Sequence, residues 1–312
     1  MRIVEIAPYN PDWVQMFAEE AKRLELALGD NCVAVHHIGS TAVPELAAKS
    51  VIDILPVVKD ILEVDKAICA MQDLGYEAKG EHGILFRRYF QKGGDLRSHH
   101  VHIFEEGNSE IDRYLKFRDW MRTHADDRQA YAALKQSLAK KYRQNILEYC
   151  FGKDAFVAEI DTKTGSFGLR LVKALTPREW DTARRLRQEY FFDDIGVADP
   201  YTWTFDYKGH IHLIAYQGSP IIGYVHIQTW NDLRVAIRII VVEKKYQNKG
   251  YGGQILELCE RWLKQQGFQS LHVQSSAEAY RFFINRGYSE MPFKDSDGHA
   301  TDPRDIELGK IL

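Results

Sequence analysis

Apolar residues recur along the chain at two spacings, and the alternation between them marks out its elements. Val14, Phe17, Ala21, Leu24 and Leu28 share one helical face, opened by Pro11-Asp12-Trp13 and closed by Gly29. Short apolar runs at 32–38 and 51–58 read as strands, the first broken by Gly39-Ser40-Thr41. A helix over 63–74 ends at Gly75, and strands at 84–91 and 100–104 are joined through Gly93-Gly94-Asp95. Residues 111–149 are helical in pattern and heavily charged on one side. Turn-forming residues then crowd into 161–166, which places a domain boundary near Gly165, giving domains at 1–165 and 166–312.

The second half resumes with a strand at 169–172. Thr176-Pro177-Arg178-Glu179 follows, a helix start with an N-cap, a proline in the first turn and a returning Glu. Strands at 211–217 and 221–229 flank Gly218-Ser219-Pro220 as a hairpin, and 235–242 is a further strand that ends in four branched aliphatics. After Gly250, Gly252 and Gly253, the residues Ile255, Leu256, Leu258, Cys259, Trp262 and Leu263 return to helical spacing. A strand, a glycine-bearing loop and a helix start make an anion site. The backbone can come close, and the first N–H groups of the helix point at the ligand.

Composition narrows the class. A length of 312 residues allows two cores, and 41 basic against 44 acidic side chains give a net charge of −3, so no nucleic-acid or membrane attraction is expected. Cys32, Cys69, Cys150 and Cys259 lie far apart, which fits a reducing compartment better than a disulfide framework. With no apolar run of membrane-spanning length and no signal-like start, a cytoplasmic protein is expected.

Gln247-Asn248-Lys249-Gly250-Tyr251-Gly252 resembles the Q/R-x-x-G-x-G/A loop of the GNAT acyltransferases. The run from Ser276 through Ala279, Phe282 and Phe283 to Gly287-Tyr288 resembles that family's second signature, and 306–312 looks like its last strand. The resemblance implies an acetyl-CoA-dependent N-acetyltransferase in which the loop holds the pyrophosphate. Backbone groups of Ile240, Val241 and Val242 would then bind the pantetheine arm and polarise the thioester. By the same resemblance, Ser276 and Phe283 would belong to that cofactor site. The family's usual phenol position is Phe283 here, and its usual Glu is Arg238, so His226, Asp232 and Tyr280 become the candidates for acid–base work, with Asp194 in reserve. The acceptor is expected to be a small-molecule amine or a protein amine. The alternative is a non-catalytic acyl-CoA-binding sensor.

The first half resembles the GrpB family through His37-Ile38-Gly39-Ser40-Thr41-Ala42-Val43-Pro44, Ile52-Asp53-Ile54, His100-Val101-His102 and Phe117-Arg118-Asp119-Trp120. GrpB proteins in turn look like distant nucleotidyltransferases. The implied fold class is therefore α/β (α+β), a nucleotidyltransferase-like mixed-sheet domain followed by a GNAT mixed-sheet domain. Nucleotidyltransferases hold magnesium on paired carboxylates; here Asp53 is followed two residues later by Leu55, so nucleotidyl transfer is not expected. Gly39, Ser40, Thr41, Lys49, Asp53, His100 and His102 are instead read as an anion pocket. Two other readings stay open: a metal held by Asp53 with the two histidines, and a purely structural hydrogen-bond cluster.

Overall fold

The computed structural model describes residues 3–292 and 304–312. The chain divides into two compact units, one formed by residues 1–170 with 217–220 and the other by 171–216 with 221–312.

In the first unit, β1 (Cys32–Ile38), β2 (Ile52–Val58), β3 (Tyr76–Ala78), β4 (Arg87–Lys92) and β5 (His99–Glu105) form a sheet in the order β1-β2-β5-β4-β3. β2 and β5 run parallel, with Asp53 beside His100, and the other pairs are antiparallel. The helix α1 (Asp12–Leu28) turns Trp13, Leu24 and Leu28 into a core shared with Ile52, Ile54, Val101 and Ile103. Val14, expected on that face, is exposed; Trp13 takes its place one residue earlier. The helix expected over 63–74 is split into α2 (Glu63–Lys66) and α3 (Ile68–Asp73), and the short edge strand β3 has no counterpart in the sequence expectations. The charged tail forms α4 (Ser109–Thr123), α5 (Ala125–Lys141), α6 (Ile146–Phe151) and α7 (Asp154–Lys163). Their buried residues Met121, Tyr131 and Ile160 close over Val43 and Leu46 next to the Gly39-Ser40-Thr41 turn.

In the second unit, β6 (Leu169–Lys173), β7 (His210–Gln217), β8 (Ile221–Thr229), β9 (Arg234–Val242), β10 (Ser270–Ser275), β11 (Ser289–Glu290) and β12 (Ile306–Ile311) form a sheet in the order β11-β12-β10-β9-β8-β7-β6 among the described residues. α8 (Pro177–Phe191) starts on the expected capping box, with Thr176 Oγ1 accepting from Glu179 N and the Glu179 carboxylate accepting from Thr176 N. α9 (Tyr251–Gln265) buries Ile255, Leu256, Cys259, Trp262 and Leu263, while α10 (Ala277–Ile284) is capped by Ser276 Oγ, 3.3 Å from Ala279 N. The helix expected after the glycine-bearing loop is therefore present as α9. The expected final strand is β12, and residues 293–303 lie outside the described part.

Candidate functional sites

The organising feature of the second unit is where a ladder stops. β9 and β10 pair in parallel from Arg234 beside Ser270 to Ile237 beside Val273, and the ladder ends there. On its other edge β9 stays paired with β8 through Val242, but with a register shift: His226 faces Ile239 and Ile227 faces Ile237, leaving Arg238 as the extra residue of a bulge. A bulge bends its strand and increases its twist, so β9 leaves β10 one residue after the last parallel pair. The cavity in the opening has a volume of about 510 Å³. Arg238, Ile239 and Ile240 line it from β9, His226 from β8, and Gln274 and Ser275 from β10. The Arg238 guanidinium donates to Gln228 Oε1 at 2.6 Å and to Gln274 Oε1 at 2.9 Å, so it reaches across the gap between the two strands.

At the same end, Gly250 caps α9 with φ +84° and no side chain caps the helix start. Asn248 is also left-handed, at φ +60°. Gln247, Asn248, Lys249 and Gly250 are exposed, and Tyr251 and Gly252 half-buried, so the loop presents backbone to solvent. The Gln247 side chain folds back, its Nε2 donating to the Val242 carbonyl at 2.8 Å. Tyr190 OH accepts from Lys244 N at 2.6 Å, anchoring the loop to the end of α8. The free amides of the first turn of α9, the helix dipole and Lys249 thus share one open face.

The three acid–base candidates separate. His226 lines the cavity and is buried; Ser276, Ala279 and Phe283 of α10 line it as well. Tyr280 is half-buried and is not among the lining residues. Asp232 sits in the turn before β9, exposed, with its carboxylate 2.7 Å from Arg234 Nε. Burial drives the pKa of His226 well below the usual imidazole value, reinforced by His212, Arg187, His210 and Arg238. The cavity also brings in Phe191, Phe192 and Tyr201 from the aromatic-rich stretch 190–205, together with Arg187 and Asp305, which motif reading missed. Arg187 is buried; it donates to Thr204 Oγ1 at 2.8 Å and pairs with Asp199 at 2.9 Å.

In the first unit, Asp53, His100 and His102 offer ligand atoms within 4.8 Å of one another. Hydrogen-bond polarity tests whether a cation suits them. His100 Nδ1 lies 3.0 Å from Asp53 Oδ1, and a carboxylate only accepts, so that nitrogen carries the proton. His102 Nδ1 is 3.3 Å from Arg87 Nη1, a donor, so its proton sits on Nε2, the nitrogen that faces Asp53 at 3.9 Å. A metal would need both facing nitrogens bare. His102 Nδ1–H would then meet an arginine N–H, the reverse of the acceptor that normally supports a ligating histidine. The cluster is ill-suited to a cation. Although burial opposes it, the hydrogen bonds of His100 and His102 hold the Asp53 carboxyl well below the usual carboxylate range.

Ser40 carries a further group. Lys135 of α5 is buried, its Nζ 2.9 Å from Ser40 Oγ and 2.5 Å from the Ala47 carbonyl, and no carboxylate pairs with it among the described residues. Burial, with Lys153 and Lys49 alongside, pushes its pKa down to about 7. Lys49 and Lys153 both lie over the Tyr149 ring, at 5.0 and 4.8 Å. Gly39 is required here, since at φ +69° a Cβ would stand 2.4 Å from Asp53 Oδ2. Thr41 is buried, with its hydroxyl 3.0 Å from His37 Nε2, so it serves the turn rather than an open face.

A two-unit protein with a glycine-capped helix beside parted strands in one half, and a Gly-Ser turn against an Asp–His cluster in the other, defines a composite of two known domain types. Residues 3–163 match the family described as GrpB protein, and residues 175–288 match the Acetyltransferase (GNAT) family. The chain belongs to the GrpB family and carries a GNAT domain after it. It is 47% identical over 156 residues to UPF0157 protein YqkA of Bacillus subtilis, a match that covers 50% of this chain and 46% of that one. The matched segment thus spans about half the length of that relative. A crystal structure of conserved protein GrpB from Enterococcus faecalis is similar at 42% identity, covering 51% of this chain and 96% of that one with a TM-score of 0.50. A putative N-acetyltransferase from Lactobacillus plantarum covers 46% of this chain and 99% of that one, at 22% identity and a TM-score of 0.39.

Proposed function

We propose that the second unit transfers an acetyl group from acetyl-CoA to an amine. The carrying observation is the parting of β9 from β10 after Ile237 and Val273, beside the uncapped start of α9. In this reading the pyrophosphate rests on the backbone of Gln247 to Gly252, and the pantetheine arm runs into the opening along Ile240, Val241 and Val242. A backbone N–H of β9 receives the thioester oxygen, in the manner of an oxyanion hole. The acceptor enters the cavity, whose Phe191, Phe192, Tyr201 and Phe283 walls suit an amine on an apolar body, and whose Asp305 supplies one negative charge. His226 stands at the reacting end, and holding donor and acceptor together supplies much of the acceleration.

A second reading is favoured by Phe283, which puts a ring without a hydroxyl in the cavity, while Tyr280 stays off its lining. In it, the unit binds acetyl-CoA as a sensor without turnover. Calorimetric titration with acetyl-CoA followed by thiol-release assays over a panel of primary amines separates the two. Binding with thiol release supports the enzyme, binding without it supports the sensor, and no binding removes both.

For the first unit, the reading supported by the lone buried Lys135 is an anion pocket around Gly39, Ser40 and Lys49, bordered by Asp53, His100 and His102. The missing counter-charge for Lys135 is the reason. Titration with inorganic phosphate and with pyrophosphate checks it, against the Lys49→Gln variant.

A further inference from the structure

Three histidines meet across β7 and β8, where the register sets His212 opposite His226 and His210 opposite Gln228. The imidazoles of His212 and His226 stack at 4.6 Å, and those of His210 and His226 lie 5.0 Å apart. Their roles differ, because their hydrogen bonds differ. His212 Nε2 is 3.0 Å from the Thr204 carbonyl, which can only accept, so Nε2 holds the proton. That leaves Nδ1 to accept from Tyr224 OH at 2.6 Å. Both nitrogens of His212 are committed, and its tautomer is fixed.

His226 is not fixed in that way. Its Nε2 meets His210 Nδ1 at 2.8 Å, and its ring lines the cavity between the parted strands. His226 is buried, whereas His210 is half-buried, so the pair runs from the cavity outward. Arg187, Arg238 and His212 all face His226 and oppose its holding a positive charge. Among the described residues, the 2.8 Å contact with His210 gives a proton taken up there a path away from the cavity.

Acetyl transfer produces such a proton. An ammonium acceptor brings three protons on nitrogen. As the C–N bond forms and the C–S bond breaks, one stays on the amide, one ends on the coenzyme thiol, and one must leave for solvent. We propose that His226 and His210 form a two-histidine relay that carries this net proton out of the cavity. The inference rests on the acetyltransferase reading above. His226 Nδ1 receives the proton from the amine while its Nε2 proton passes to His210 Nδ1, and His210 releases its own Nε2 proton to water. Once the products leave, water in the cavity takes the Nδ1 proton of His226, solvent reprotonates His210 Nε2, and the shared proton returns to His226 Nε2, which restores both tautomers. His226 is the catalytic base, and His210 acts through it as a positioning and relay residue.

The test uses the full chain, acetyl-CoA, and 2-phenylethylamine, spermidine and a glycine-amide peptide as acceptors, with thiol release and calorimetric acetyl-CoA affinity measured side by side. His210→Ala is expected to lower kcat roughly tenfold while acetyl-CoA affinity stays unchanged, and imidazole added to the buffer should restore the rate as its concentration rises. His226→Gln should lower kcat at least about a hundredfold, and the double variant should be no slower than His226→Gln alone. A merely structural His210 would show neither buffer rescue nor this non-additivity. The relay is overturned if His210→Ala turns over like the parent, if its loss is indifferent to imidazole, or if the parent binds acetyl-CoA yet releases no thiol with these amines. Failure of the parent to bind acetyl-CoA overturns the acetyltransferase reading itself, and the two failures are thereby told apart.

Discussion

Gly250 and Gly252 test the proposed cofactor loop by two different physical routes. At Gly250 the space for a side chain is open, since an added Cβ would meet only Gln254 Nε2 at 3.8 Å. The obstacle is conformational: φ is +84°, and a β-branched residue held there costs about 1–3 kcal/mol. Gly250→Val should therefore push the loop out of its ligand-ready shape. At about 1.4 kcal/mol per tenfold, acetyl-CoA affinity should fall roughly ten- to a hundredfold. Gly250→Ala, with no branch at Cβ, should fall by less. Gly252 is different, because its φ lies outside the left-handed region and its Cβ position is an ordinary 3.5 Å from Phe282. Gly252→Ala should keep or slightly raise the thermal midpoint, since alanine is the better helix former. It should still weaken acetyl-CoA, because the methyl group stands where pyrophosphate would meet the first turn of α9. Calorimetry of the three variants, with thermal unfolding as the control, makes the measurement. Unchanged affinity in Gly250→Val would refute the placement of the cofactor on this loop. Loss in Gly250→Val with none in Gly252→Ala would refute the direct approach of phosphate to backbone.

Three further outcomes are expected. The folded-state pKa of Lys135, about 7 against 10.5, lies below its unfolded value, so the unfolded chain binds more protons across that window and stability should rise with pH through it. Relative to Lys135→Met, which cannot titrate, the parent should gain up to about 2 kcal/mol between pH 7 and 9 by chemical denaturation; a difference independent of pH would count against a strained ammonium. Chains ending at Thr164 and starting at Ser166 should each unfold cooperatively in calorimetry, because each half has its own sheet and apolar core; two insoluble or non-cooperative halves would reject the boundary. No magnesium-dependent release of pyrophosphate from ATP, GTP, CTP or UTP is expected, and release abolished by Asp53→Ala would overturn that expectation.

Local signals were strong in this sequence, and they carried the fold. The capping box at Thr176 and Glu179, the glycine at 250 and the four aliphatics of 239–242 each act within a few residues, and each element stands where those residues put it. Short pieces were harder: the 63–74 helix broke after Lys66 because four- and six-residue turns carry too few periods to be told from one longer helix. The sites divide along the same line. The loop proposed to hold the cofactor is contiguous, and its motif lies within six residues. His210 and His212 became relevant only through their strand register with His226, and the place of Lys135 beside Ser40 appears only in the fold, across 95 residues. No spacing rule links such pairs, since tertiary packing alone brings them together.

The bulge at Arg238 means that the opening in the second sheet depends on a single added residue. Counted by codons, the slot is one triplet deep. A strand lacking that residue would pair evenly with β8 from Arg234 onward and would lose the bend that takes it away from β10. The hydrophobic code of this strand can therefore tolerate many exchanges of one aliphatic for another, as volume-conserving swaps usually allow, but not a change in length. What such a segment must keep is the single residue between Ile237 and Ile239, so exchanging that residue should be tolerated far better than inserting or deleting one.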